Sequence, residues 1–195
     1  KRAGVPYTGT RGTTASLVLN LTWMRSALSD IDIRMPVAHT LNVRQEMDPV
    51  EMAQRIFAEF GPPYVIKPVA SGAAIGLRIV RTIHDLPQAL ADMFEVYDQL
   101  LVEEYTAGTR VSVGVIEGFR NESLYALPPS EFILPEGFAI AEFDAHEHQD
   151  AGHTCPWKAE HDYKQQLMRH AREVHEKLGL SHYSRSDFIV RGSRL

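Results

Sequence analysis

A chain of 195 residues is long enough for one large domain or two small ones sharing a core, and its 44% hydrophobic and 23% charged content is ordinary for a globular protein. Lys plus Arg total 20 against 25 Asp plus Glu, a net charge of −5, which excludes general affinity for nucleic acid or an anionic membrane. The single cysteine, Cys155, excludes an internal disulfide framework, and no apolar stretch reaches bilayer-spanning length, so a cytoplasmic location is expected.

In chain order, Thr13-Thr14 caps a helix expected from Ala15 to about Leu28, with Leu17, Leu21, Met24 and Leu28 on one stripe. Met35 to Thr40 is extended, because Pro36 biases its predecessor away from helix. The clearest helix start is Asp48-Pro49-Val50-Glu51, with Ala53, Ile56, Phe57 and Phe60 as its apolar face and Gly61-Pro62-Pro63 as its end. Tyr64-Val65-Ile66 and Leu77 to Val80 form a hairpin, and Asp85 caps a helix that turns Leu86, Leu90, Met93, Phe94 and Tyr97 inward. Leu100 to Glu104 is a strand turned by Ala107-Gly108. Arg110 to Ile116 alternates with Val111, Val113 and Val115 on one face, and Ser123 to Leu127 is a further strand. Residues 135–161 are polar and without apolar period. Tyr163, Leu167, Ala171, Val174 and Leu178 then mark an amphipathic helix closed by Gly179, and Ser186 to Val190 is the last strand. Hairpins dominate, so the fold class is α+β with two lobes joined near residues 103–108. Both ends have the character of interior chain, so the stretch is expected to be cut from a longer one.

Lys67 stands directly after an apolar strand, where an unpaired ammonium is costly to desolvate. Two readings are open: the head snorkels to water, or it awaits an anion. The loop Ala70 to Gly76 supports the second, because its small residues let backbone N–H groups approach a ligand closely. No G-x-x-x-x-G-K-[ST] occurs. Glu103-Glu104 is either a solvated strand end or a polar hinge edge for a purine. Arg185 and Asp187, two residues apart on one strand face, are either an ion pair or an oxyanion stabiliser beside a ligand for a hard cation. His146, His148, His153, His161 and Cys155 match no zinc-ligand spacing, so scattered loop imidazoles are expected there.

Gly4-Val5-Pro6-Tyr7-Thr8-Gly9-Thr10, Val65-Ile66-Lys67-Pro68, Val102-Glu103-Glu104-Tyr105 and Ser184-Arg185-Ser186-Asp187-Phe188 occur in the order found in D-alanine–D-alanine ligases, a family of the ATP-grasp superfamily. The chain resembles their central and C-terminal lobes, which the resemblance places at 1–105 (with a preceding linker) and 106–195. It implies an ATP-grasp fold with antiparallel or mixed sheets and a nucleotide cleft between the lobes. It also implies ATP and Mg2+ as cofactors, a D-amino acid as substrate, no nucleic-acid or membrane partner, and a homodimer of the longer protein. By the same resemblance Lys67 contacts ATP phosphate, Gly72, Ala73, Ala74 and Gly76 belong to the phosphate flap, and Glu103 binds adenine. Glu104 and Thr106 lend backbone groups, Arg185 lies beside the acyl phosphate and tetrahedral intermediate, and Asp187 is the first magnesium ligand. The implied activity is ATP-dependent ligation through an acyl phosphate in peptidoglycan precursor synthesis.

Several positions depart from the family pattern. Leu21-Thr22 stands for an acid–lysine pair, Ala73-Ala74 for paired serines, and Arg110 for a ribose-binding glutamate. His146 and Glu147 replace the lysine and aromatic of a mobile loop, and the Glu-x-Asn metal motif would fall beyond Leu195. The 195-residue stretch is therefore expected to be inactive alone, and a non-catalytic nucleotide-binding module is the competing expectation.

Overall fold

Alternating apolar strands and three amphipathic helices fold into two antiparallel sheets, each covered by helix on one face. The computed structural model describes residues 5–45, 48–70, 75–133 and 152–191. The first sheet runs β1 (Ala38–Asn42), β4 (Gln99–Glu104), β2 (Tyr64–Pro68), β3 (Arg78–Val80), with β4 between β1 and β2. Helices α3 (Pro49–Glu59) and α4 (Leu86–Phe94) cover one face of it. Tyr64, Ile66, Leu100 and Val102 point into that core, so the residues between them, Val65, Lys67, Leu101 and Glu103, face the other way. The second sheet centres on β5 (Thr109–Glu117). One edge pairs along its length with β9 (Tyr183–Val190), and the other pairs with β6 (Leu124–Ala126) and β7 (Ser130–Ile133). β7 continues to β8 (Gly152–Thr154). Val111, Val113 and Val115 pack against Leu167 and Ala171 of α5 (His161–Lys177).

Every strand pair among the described residues is antiparallel, so the sheets are not mixed. The first helix expected at Ala15 to Leu28 is two helices, α1 (Gly12–Val18) and α2 (Leu21–Ala27). Asn20 breaks it: its side-chain oxygen accepts from the Trp23 N–H at 3.0 Å, which caps a new helix more favourably than continuing the old one. Thr13 and Thr14 lie inside α1 rather than at its cap, which is Arg11. In α3 the helix starts at Pro49 as expected, but Phe57 is exposed and Met52 takes the inward place beside Ala53 and Ile56. β7, and β8 within the tract expected to be irregular, are short strands held by pairing to their neighbours rather than by any periodicity of their own.

The N-terminal segment touches both lobes. The Leu21 N–H donates to the Val69 carbonyl at 2.9 Å at the first sheet. At the second, the Gly9 N–H donates to His182 Nδ1 at 2.8 Å, the Ser181 N–H donates to Thr10 Oγ1 at 3.1 Å, and Lys177 pairs with Asp30. His182 itself sits at φ +67, a backbone region that an imidazole residue adopts only when its surroundings hold it. Glu117 holds it: Glu117 Oε2 accepts from the His182 N–H at 2.6 Å, and Oε1 lies 3.4 Å from Nε2 of buried His175.

The His182 N–H, with smaller help from His175, lowers the Glu117 carboxyl below its ordinary 4.5. A depressed carboxylate contributes stability above its unfolded value and loses it as pH falls through the folded one. Wild-type Tm is therefore expected to fall faster than that of Glu117→Gln as pH drops below about 4.5, thermal melts from pH 6 to pH 3 being the measurement. Parallel Tm curves would remove Glu117 from the acid response.

Candidate active site

Two sheet faces, each turned away from the helices of its own core, carry the polar residues singled out in the sequence. On the first, Glu103 is a buried carboxylate on β4, its side chain 10% exposed. It accepts from Arg25 Nη1 at 3.1 Å and from Lys67 Nζ, and Arg25 Nη2 donates in turn to the Pro36 carbonyl. Glu103 and Lys67 come together because β2 and β4 pair with Val65 opposite Glu103 and Lys67 opposite Leu101, a diagonal on one face. The anion that Lys67 meets here is thus a protein carboxylate, and its side chain remains 32% exposed. Thr22 bonds to Thr40 through their hydroxyls at 2.9 Å, which seats α2 on β1.

On the second sheet, β5 residues alternate between the α5 core and the open side. Arg110 is opposite Ile189, Ser112 opposite Asp187, and Gly114 opposite Arg185, so all of them project away from α5. Asp187 Oδ1 accepts from Ser112 Oγ at 2.7 Å and lies 3.1 Å from Arg185 Nε, while Oδ2 accepts from Arg185 Nη2 at 3.2 Å. Burial lowers the Arg110 guanidinium from its ordinary value, with Asp187 opposing the shift and Arg185 adding to it. Arg110 makes no hydrogen bond or ion pair among the described residues.

For magnesium the arrangement is a poor fit. Among the described residues Asp187 stands without a second acid, its oxygens are taken by Arg185 and Ser112, and no group of three His, Cys, Asp or Glu that could hold a metal ion occurs. That ion requires several oxygen ligands in octahedral array. Glu104 donates its N–H to Val37 and Tyr105 donates its own to Pro63, so neither N–H is left for a base edge. Thr106 is partly exposed just beyond β4. In the flap, Gly72, Ala73 and Ala74 lie outside the described residues, as do His146, Glu147 and His148. Gly76 is described at φ +76, and a Cβ there would stand 2.5 Å from Tyr97 Oη and 2.9 Å from Pro68 Cγ. Only glycine fits both the backbone and the space. His153 pairs with the Ser130 hydroxyl at 3.4 Å and packs on Phe132, and Cys155 is exposed. A depression of about 400 Å³ between β6 and α5, walled by Glu122, Arg169, Arg172 and Glu173, includes none of the expected site residues.

Sequence reasoning missed Arg25 and His175. Arg25 is the one charged residue between Gly12 and Leu28, and a lone charge in such a run was the available signal. His175 continues the α5 stripe through Leu167 and Ala171 at four-residue spacing, so it was placed to be buried.

The D-ala D-ala ligase C-terminus family model matches residues 28–194. The chain belongs to the D-alanine–D-alanine ligase family. A D-alanine–D-alanine ligase from Geobacter sulfurreducens is 28% identical over 187 residues, covering 96% of this chain and 55% of that protein. The chain thus spans about half the length of the curated relatives it matches. The fold agrees with solved structures. D-alanyl-alanine synthetase A from Vibrio cholerae superposes with a TM-score of 0.82 at 22% identity, over 99% of this chain and 57% of that one. The Bacillus anthracis D-alanine–D-alanine ligase complexed with ATP gives 0.76 at 19% identity, over 98% and 57%. The ligase-family chain therefore has the ATP-grasp α+β fold. No described helix is long and apolar enough to cross a membrane.

Proposed function

We propose that the protein carrying this stretch is an ATP-dependent D-alanine–D-alanine ligase acting in peptidoglycan precursor synthesis. The stretch supplies its two ATP-grasp lobes, 1–105 with the preceding linker and 106–195, and ATP lies between them. The observation that carries the reading is the meeting of Lys67 and Glu103 on one sheet face. The γ-phosphoryl group passes from ATP to the carboxylate oxygen of the first D-amino acid, leaving ADP and an acyl phosphate. The amine of D-alanine attacks that carbonyl carbon, phosphate departs with the electron pair, and the amine loses a proton. Lys67 turns from Glu103 to a phosphate oxygen, and Arg25 keeps the Glu103 carboxylate compensated when it does. Glu103, with carbonyls of Glu104 and Thr106, faces the adenine, the flap including Gly76 closes on the phosphates, and Arg185 offers N–H groups to the tetrahedral oxyanion. Mg2+ is the family's expected counter-charge. The described residues do not fit it. The protein is placed in the cytoplasm as a homodimer, with small-molecule substrates and no nucleic-acid or membrane partner.

Calorimetric titration of the 195-residue chain with ATP and ADP tests the nucleotide site. Weak binding is expected, with no turnover, and Lys67→Met should weaken ATP by about tenfold, the worth of one charge-assisted hydrogen bond. Equal ATP affinity in Lys67→Met would overturn the assignment of Lys67. With the full-length protein, ATP and D-alanine should yield phosphate and dipeptide, and phosphate release only with other amino acids would move it to another ligase class. A second reading, a non-catalytic nucleotide-binding module, is favoured by Thr22 bonding to Thr40 where the family resemblance implies a lysine, and by Asp187 being occupied by Arg185. It expects nucleotide binding without phosphate release from the full-length protein.

A further inference from the structure

We propose that the Gly9–His182 contact is a proton-operated latch, which ties the N-terminal segment to the second lobe while the imidazole is neutral and lets go when it is charged. The inference stands apart from the nucleotide reading, because no residue of that reading takes part in it. The Gly9 N–H donates to His182 Nδ1 at 2.8 Å, across 173 residues of chain. A backbone N–H finds a lone pair there only on an unprotonated nitrogen, so the contact requires the neutral ring with its proton on Nε2. In the imidazolium both ring nitrogens are donors, and two N–H groups would point at each other. Turning the ring over presents Cδ2–H instead, which accepts nothing. The latch is therefore closed above the pH range in which imidazole titrates and opens as pH falls through it.

Both ends of the bond are held in place. His182 is clamped at φ +67 by Glu117, whose Oε2 accepts from its N–H at 2.6 Å, and Gly9 sits at φ +121, a conformation that residues with side chains rarely adopt. His182 is also exposed, so protons reach the ring from solvent. The titratable and charged groups around it, among the described residues, are Glu117 at the end of β5, His175 and Lys177 of α5, Tyr183 of β9, Asp30 after α2, and Tyr7 and Arg11 on either side of Gly9. Glu117 stays ionised where imidazoles titrate, since the His182 N–H holds its carboxyl below 4.5, and it offers the charged ring a counter-charge. Lys177 is taken by Asp30, and buried His175 bonds to Ser184 and Glu117 rather than to the N-terminal segment. The lobe thus accommodates a charged ring, and what is lost is the Gly9 bond. Thr10 Oγ1 accepts from the Ser181 N–H at 3.1 Å without help from the imidazole, as does the Lys177–Asp30 pair, so release is confined to the chain before Thr10, where Val5 and Tyr7 are exposed.

Amide exchange followed by NMR in the 195-residue chain tests this at about pH 8 and about pH 5, the ends of the range in which imidazole changes charge. Each Gly9 rate is compared at the same pH with that in His182→Gly, which keeps the backbone conformation and lacks the ring, so the chemical pH dependence of exchange cancels. Gly9 is expected to be protected about fivefold at the higher pH, the worth of one net hydrogen bond, and not at the lower. His182→Asn separates the proton from the contact: asparagine tolerates this backbone region, and its Oδ1 takes the place of Nδ1 as an acceptor that does not titrate. It should keep the protection at both pH values. In wild type alone, the Gly9 amide shift should follow the His182 ring signals through a single titration. Equal Gly9 protection at the two pH values in wild type would overturn the proposal. So would the same pH-dependent loss in His182→Asn, or separate midpoints for the Gly9 amide and the His182 ring.

Discussion

Leu167→Ala is expected to destabilise the chain by about 3 kcal/mol, the middle of the range for deleting a fully buried leucine side chain. Leu167 is 0% exposed and joins α5 to the valines of β5 in a cluster that also holds Trp157, Ala171 and Val190. Removing three methylene-sized groups leaves a cavity flanked by strand backbone, which cannot collapse into it easily. The neighbours across the gap are Val111, Val113 and Val115, whose β-branched side chains are stiff about χ1. Urea denaturation reads the loss as a lower midpoint at unchanged slope. Hydrogen exchange locates it: protection should fall in α5, β5 and β9 more than in β2 and β4, because a separate cluster of α3, α4 and the first sheet keeps its own contacts. Equal loss of protection in both sheets would show that the two cores unfold as one.

Glu103→Ala is expected to cost about 2 kcal/mol, less than the loss for a wholly buried pair. The carboxylate is nine-tenths buried, and its removal leaves both Arg25 and Lys67 without a counter-charge. The discount follows from exposure: the Arg25 and Lys67 side chains are 20% and 32% exposed, so water reaches each of them in part. Lys67→Met should cost much less, since Glu103 keeps Arg25 and the Met stem fills the same strand position. Urea midpoints of the two variants and wild type decide the order. A larger loss in Lys67→Met than in Glu103→Ala would mean that the lysine, not the acid, anchors the cluster. Glu103→Gln should fall between wild type and Glu103→Ala, because it keeps acceptor capacity without the charge.

The same cluster marks where the sequence was legible and where it was not. That Lys67 lies beside an apolar core, its ammonium either reaching water or meeting an anion, follows from the three apolar residues before it and the desolvation cost of an ammonium. Which anion satisfies it does not follow. Glu103 lies 36 residues further on, and Arg25 reaches Glu103 from 78 residues before it. Both contacts are created by the β2–β4 register and by the seating of α2. The break in the first helix was similarly hidden: the apolar spacing from Leu17 to Leu28 is continuous, and the local bond from Asn20 to Trp23 outweighs it.

The sequence by itself determined the elements whose apolar period is strong, because periodicity is written locally. These are the buried pairs of β2 and β4, the alternation of β5, the Pro49 start of α3, and the α5 stripe through Leu167 and Ala171. Its ordered motifs also carried the family resemblance. Only the tertiary structure decided who partners whom. It paired β7 with β8 in a stretch without period, tied Gly9 to His182 across 173 residues, and closed Asp187 between Ser112 and Arg185. The physical reason is that hydrogen-bond and charge partners are chosen by strand register and lobe packing, quantities set by contacts far apart in the chain.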